Sequence, residues 1–398
     1  MKIGIFSNFY PPSERGGAEL VASRVAHELA RRGHRVFVLS TSPLSRASDL
    51  HVHRVEEAVE RVYRFFPLNL YHVSRAPLFP FPIRLVWHVV DLCGPYPHRQ
   101  IDRLLEMEEP DVVFTHNLKG LGVRSARCIQ QAGIRHIHTL HDVQLSIPSG
   151  VLVYGQEQKG WNRGVPRRWY EGLAKRALGR PDMIISPSAF LAEFYRSRGF
   201  FTESRLEILP NPAPSSRDAL PARGRPTGAL KFLFVGQLEV HKGVQLLLEA
   251  MHDLGLPYEL HFVGEGMLSQ EVQRVAHSDP RFFFHGFISL EHIRRLMAVS
   301  DAIILPSLCY ENSPTVIYEA FQSGLPVITS KIGGIPELVE DGVNGLLFEP
   351  GNVASLRAAI RRFAQERDVF FSRTADIQAR ADSYALSQYV SHLEAFMG

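Results

Sequence analysis

A chain of 398 residues is too long for one hydrophobic core, which stops growing at roughly 250–300 residues, and so requires two domains. With 45% hydrophobic and 21% charged residues, no low-complexity tract and no short-period repeat, disordered and solenoid classes are excluded. The net charge of +3 conceals an asymmetry: residues 1–215 hold 28 Lys and Arg against 20 Asp and Glu, and the remainder 16 against 21, so a basic half fits an anionic partner such as nucleic acid, a phospholipid surface or a phosphorylated substrate.

The chain opens on KIGIFS (2–7), whose apolar run is too short for a secretory leader and reads as a buried strand; a cytoplasmic location is expected. A loop with Gly16 and Gly17 follows, then a helix with Val21, Val25 and Leu29 at fourfold spacing, ended at Gly33, and the strand RVFVLS (35–40). Further strands are expected at 111–116, 135–140 and 182–188, separated by helical segments, which implies a mostly parallel sheet with helices on both faces. Cys93, Cys128 and Cys309 are odd in number, scattered and without CxxC spacing, so neither a disulfide framework nor a zinc ribbon is indicated.

Two segments of this half have membrane character. LFPFPIRLVWHVVDLCGPYP (78–97) is apolar but broken by prolines, Arg84 and Asp91, so it cannot span a bilayer, although it can line a lipid or acceptor surface. KGWNRGVPRRWYEGLAKRALGR (159–180) holds seven Lys and Arg and one acid, with Trp169, Leu173 and Ala177 on one helical stripe and Tyr170, Ala174 and Leu178 on the next. Two readings fit it: a helix lying on an anionic bilayer, peripheral to the membrane, or a solvated surface helix docked on its own domain. Nucleic acid is disfavoured, as no recognised binding module is present.

PNPAPSSRDALPARGRPTG (210–228) lacks apolar periodicity and reads as the interdomain linker. Beyond it strands are expected at 231–236, 259–264, 282–286, 301–307, 326–330 and 345–348. The whole chain is thus read as α/β, two doubly wound, Rossmann-like domains facing across a cleft, with ligands beyond the carboxyl ends of the strands. In the crossover between the last two long strands, Glu311 precedes a helix expected to start within Ser313-Pro314-Thr315, Ser313 serving as N-cap, and Glu319 lies one to two turns inside. A helix start suits a phosphate, and carboxylates beside it suit sugar hydroxyls. On spacing alone the pair is equally a working pair or two solvated side chains.

The pair, with GLPVITSKIGGIPELVEDGVNGLLF after it and VGQLEVHKGVQLLLEA (235–250) before it, resembles the donor-site signature of the retaining family 4 glycosyltransferases of the GT-B fold. The resemblance covers nearly the whole chain. It implies an acceptor domain, residues 1–215, a donor domain, residues 225–375, and a terminal helix within 380–398 packing back on the first. Glu311 would contact hydroxyls of the donor sugar, Glu319 the ribose, and the backbone around Ser313, Thr315 and Val316 the sugar and phosphates. Lys242 would neutralise the diphosphate, the reason such enzymes usually need no metal ion or other cofactor. Gly264 and Ile288, with their neighbours, would flank the base.

One departure stands out: Gln237 occupies the place of an arginine usual in the family, and Lys331 is the nearest candidate to replace its charge. In the first domain, Gly16 and Gly17 would line the reacting bond and His141 would contact the sugar near its anomeric centre. His136 and His138 alternate onto one strand face and, with His141, invite a metal reading, but no further clustered ligands complete a site; Asp142 is the one nearby carboxylate worth testing as a nucleophile. The implied reaction moves a hexose from a UDP- or GDP-linked donor to a saccharide or lipid-linked acceptor in envelope or exopolysaccharide assembly. A GT-B nucleotide-sugar epimerase and a non-catalytic nucleotide-sugar binder are the alternatives.

Overall fold

The structure is a computed structural model that describes residues 1–12, 16–55, 60–94, 98–213, 223–224 and 227–397. It divides into two compact units: Met1–Leu152 with Glu157–Asn211 and Leu386–Gly398, and Val153–Gln156 with Pro212–Ala385. Most of the expected linker lies outside the described residues.

The first unit is built on eight strands: β1 (Lys2–Phe6), β2 (Arg35–Thr41), β3 (His53–Val55), β4 (Arg61–Phe65), β5 (Val112–Thr115), β6 (Arg135–Thr139), β7 (Met183–Ser186) and β8 (Arg205–Ile208). Their order is β3-β4-β2-β1-β5-β6-β7-β8, parallel except for the antiparallel pair β3 and β4. The helix Gly17–Arg31 lays Val21, Val25 and Leu29 on Ile3, Ile5, Val36 and Val38, and Gly33 ends the turn at φ 91°. Tyr389, Val390 and Leu393 of the helix Leu386–Met397 enter the same core. Arg32 fastens that helix, donating to Glu394 Oε2 at 2.6 Å, and His34 Nε2 lies 3.0 Å from Glu394 Oε1.

The second unit holds β9 (Leu230–Val235), β10 (Tyr258–Val263), β11 (Phe282–Phe284), β12 (Ala302–Leu305), β13 (Val327–Ser330) and β14 (Gly345–Phe348). All pair in parallel, in the order β11-β10-β9-β12-β13-β14. Strand order therefore reverses between β9 and β12, where the loops after neighbouring strands leave the sheet in opposite directions and open a crevice. Apolar clusters cover both faces: Phe232, Phe234, Leu260 and Ile304 on one, Leu233, Val263, Ile303 and Val327 on the other. That alternation matches the near-continuous apolar runs of these strands.

Candidate active site

The strands on either side of the reversal deliver the candidate residues of the second unit. After β9 the chain turns through Val240–Lys242 and passes Gly243, at φ 74°, into the helix Val244–His252. A Cβ at Gly243 would lie 1.8 Å from the Pro306 carbonyl oxygen, so glycine lets this turn press on the loop after β12. There the N–H groups of Leu308 and Cys309 donate to the His241 carbonyl at 2.9 and 3.1 Å. Lys242 is thereby brought to Glu311, Nζ donating to Oε1 at 2.6 Å.

Ser307 and Cys309 precede Glu311 at alternate positions and donate to the same oxygen, Oγ at 3.0 Å and Sγ at 3.4 Å. Every side-chain hydrogen bond of Glu311 among the described residues falls on Oε1, which leaves Oε2 to other partners. Burial raises the Glu311 carboxyl, but the Lys242 charge and the three hydrogen bonds outweigh it and hold the group below its ordinary value. Lys242 suffers the same desolvation, and Glu311 overcomes it, holding the ammonium above its ordinary value. Burial and the Glu311 charge push the Cys309 thiol up to about 12, so it stays a protonated donor.

The helix Thr315–Gln322 follows, with Pro314 rather than Ser313 in the capping position. The Ser313 hydroxyl instead pairs with the hydroxyl of buried Tyr318 at 2.5 Å: a phenol taken out of water requires a partner. The N–H groups of Thr315 and Val316 make no hydrogen bond among the described residues and are the orphan donors that suit an anion. Glu319 is half-buried one turn further on. Beside β9, a Cβ on Gly264, at φ 126°, would meet the Gly236 carbonyl at 2.0 Å, so the loops after β9 and β10 touch backbone to backbone. Gln237 is exposed there. Lys331, exposed after β13, is separated from Gln237 by β12, about 10 Å in strand spacing. Ile288 packs its side chain into the core with Leu233 and Val263, which leaves exposed Phe287 as the apolar surface of that segment.

In the first unit, Gly16 and Gly17 open the helix Gly17–Arg31, and the nearest atom to a Cβ on Gly16 would be Glu19 Oε2, at 3.1 Å. His141, after β6, lies with Nε2 3.0 Å from Nδ1 of buried His116, which follows β5. Sequence reasoning missed His116, though it ends the strand DVVFTH one strand away from His141. His116 Nε2 is buried without a partner among the described residues. Leaving a lone pair there costs less than leaving an N–H, so His116 donates from Nδ1 and His141 carries its own proton on Nδ1.

His136 and His138 belong to a separate hydrogen-bonded string. Gln130 Oε1 accepts from Arg180 N at 3.1 Å, which turns its amide nitrogen toward His136 Nδ1 at 2.9 Å. His136 therefore donates from Nε2 to Thr115 Oγ1, and the Thr115 hydroxyl donates to His138 Nδ1, both at 2.8 Å. Among the described residues no group of three His, Cys, Asp or Glu is placed to hold a metal ion.

This region makes the first unit acid-sensitive. Burial lowers His88 and His136 to about 3 and His141 to about 4, and lowers His116 and His138 well below the usual range. Burial raises Asp91 to about 7 and Asp142 to about 6. Between pH 6.5 and about 4 the unfolded chain takes up five imidazole protons that the fold refuses, while the fold holds two carboxyl protons that the unfolded chain has released. The histidines win, so stability is lost as pH falls from 6.5, by on the order of a few kcal/mol per pH unit. Melting temperatures at pH 5.5 well below those at pH 7.5 are expected; a flat profile would show these histidines charged in the fold.

Two doubly wound, parallel-sheet units of this kind make the GT-B fold, and solved structures agree. Sucrose-phosphate synthase from Thermosynechococcus elongatus matches over 99% of this chain and 98% of its own, with a TM-score of 0.74 at 18% identity. HepE from Anabaena, in complex with UDP-glucose, matches over 100% and 99%, with a TM-score of 0.70 at 19% identity. Residues 15–217 match the model of Glycosyltransferase Family 4 and residues 229–366 that of Glycosyl transferases group 1. The chain belongs to glycosyltransferase family 4. Its relatives include a glycogen synthase of Mycobacterium tuberculosis, 26% identical over 380 residues that cover 91% of this chain and 85% of the relative.

Proposed function

We propose that this glycosyltransferase moves a hexose from a nucleoside-diphosphate sugar to a saccharide or lipid-linked acceptor with retention of anomeric configuration. The observation that carries the reading is the Lys242–Glu311 pair at the strand-order reversal, where one carboxylate oxygen is fixed by three donors and the other is left to a ligand. Glu311 Oε2 accepts from hydroxyls of the donor sugar. Lys242, with one of three N–H bonds spent on Glu311, turns its charge to the diphosphate. The N–H groups at Thr315 and Val316 meet the phosphates, Glu319 the ribose, and the loops at Gly264 and Ile288 the base. His141 and the Gly16-Gly17 turn keep the roles the resemblance implies, at the sugar and the reacting bond, and the first unit takes the acceptor.

Retention follows from attack on the face the leaving group departs. The bond from the anomeric carbon to the phosphate oxygen breaks, the acceptor oxygen bonds to that carbon, and the acceptor's proton passes to the released diphosphate. The protein contributes position and charge rather than a nucleophile. The binding of UDP-glucose by HepE favours a UDP-linked donor.

A thermal-shift series with UDP-, GDP- and ADP-sugars tests the donor. A ligand of the folded state is expected to raise the melting temperature with concentration, UDP-glucose most, at roughly 2.7 kcal/mol when present at a hundred times its Kd. No shift with any of the three would overturn the donor assignment.

A further inference from the structure

The helices Phe81–Cys93 and Gly164–Leu178 of the first unit pack against one another. Their inner sides are conventional: Trp87 is buried with its indole N–H on the Tyr71 carbonyl, and Tyr170, Ala174 and Leu178 are buried. Of the two stripes considered for the basic helix, Tyr170-Ala174-Leu178 is thus the docked one. The other stripe leaves the surface along the helix: Ala177 is buried and Leu173 half-buried, and Trp169 at its start faces water.

The outer sides are unusual. On Gly164–Leu178 the exposed residues Val165, Arg168, Trp169, Gly172 and Arg176 recur at helical spacing, with Val165 78% and Trp169 52% exposed. On the other helix Ile83 and Val86 are exposed beside Arg84, and Leu78, just before it, is 78% exposed. Neither helix shows water a carboxylate. Glu171 is buried, accepting from Ser146 Oγ at 2.6 Å with Arg167 and Arg198 nearby, and Asp91 is buried, accepting from the Gly120 N–H at 3.0 Å. Apolar side chains and arginines therefore share these faces with no negative charge between them.

We infer that these two faces form a docking surface for an anionic lipid bilayer. Charge selects the occupant. A second copy would set arginines against arginines, whereas an anionic bilayer takes up the apolar chains at its interface and meets each arginine with lipid phosphate, at about 1 kcal/mol per cation. Trp169 sits at interfacial depth with Val165 one turn away, and the Arg168 and Arg176 heads reach the phosphates. Among the described residues no helix is long and apolar enough to cross a membrane, so the contact is peripheral. The inference deepens the proposed function, because a lipid-linked acceptor is met at such a surface.

Vesicle binding tests it without turnover. The full chain is mixed with vesicles of phosphatidylcholine alone, or of phosphatidylcholine and phosphatidylglycerol in equal parts, and followed by co-sedimentation and tryptophan fluorescence. Binding to the anionic vesicles only, weakened by salt, with a blue shift that is lost in Trp169→Phe, is expected. Arg168→Glu with Arg176→Glu should lower the partition coefficient by at least about tenfold while leaving the melting temperature unchanged. No binding, equal binding to both vesicles, binding indifferent to these substitutions, or concentration-dependent self-association through this face would overturn it. A protein that ignores vesicles yet is shifted by a nucleotide sugar refutes the surface alone; one that binds vesicles but no nucleotide sugar refutes the donor reading alone.

Discussion

Glu311→Ala is expected to lower kcat/KM by about 10²–10³, on the order of 3–4 kcal/mol of lost transition-state stabilisation. In the proposed reaction the carboxylate accepts from sugar hydroxyls, and that interaction strengthens as positive charge develops at the anomeric carbon. The group is prepared for this: Lys242, Ser307 and Cys309 all hold Oε1, which fixes the plane of the carboxylate and keeps it ionised. Alanine also leaves the Lys242 ammonium, 26% exposed, without its partner, so a stability loss of roughly 1–3 kcal/mol accompanies the kinetic one. Melting without donor measures that part, and rates per folded molecule measure the rest. Glu311→Gln, which keeps the shape but not the charge, should be more stable than alanine and still slow. Normal turnover per folded Glu311→Ala molecule would remove the sugar contact from the mechanism.

How far the site could be read beforehand depended on what each residue does locally. The six strands of the second unit are short apolar runs between turn residues, and all six lie where their patterns place them. In the first unit β3, β4 and β8 escaped, since RVYRF and RLEI carry the charges that strands toward a sheet's margin tolerate, and their apolar signal is diluted. Glu311 was a candidate from its place before the helix but undecided on spacing alone, and Lys242 was nameable only through the family resemblance, since a separation of 69 positions says nothing of a 2.6 Å contact. The spacing of Ser307, Cys309 and Glu311 did hold a usable signal, three polar groups at alternate positions after a strand. Ser313 was misassigned because serine before a helix reads as a cap, and the competing demand of Tyr318, five residues on, appears only when the helix is folded.

Lys242→Ala is expected to raise the donor KM by about tenfold and to lower kcat by about a hundredfold, because charge on the leaving diphosphate grows as its bond to the sugar breaks. The neutrality of Gln237 makes the loss heavier here than where a second cation stands after the first strand of the second unit, since an amide donates hydrogen bonds without offsetting charge. Lys242 and Glu311 are in direct contact, so the two substitutions should not add: each single variant disrupts the arrangement the other residue depends on, and the double variant should be little slower than the slower single one. Steady-state kinetics on the four proteins of the cycle checks this. An unchanged kcat in Lys242→Ala would reject the leaving-group role. Full additivity would mean that the 2.6 Å pair is broken before the transition state is reached.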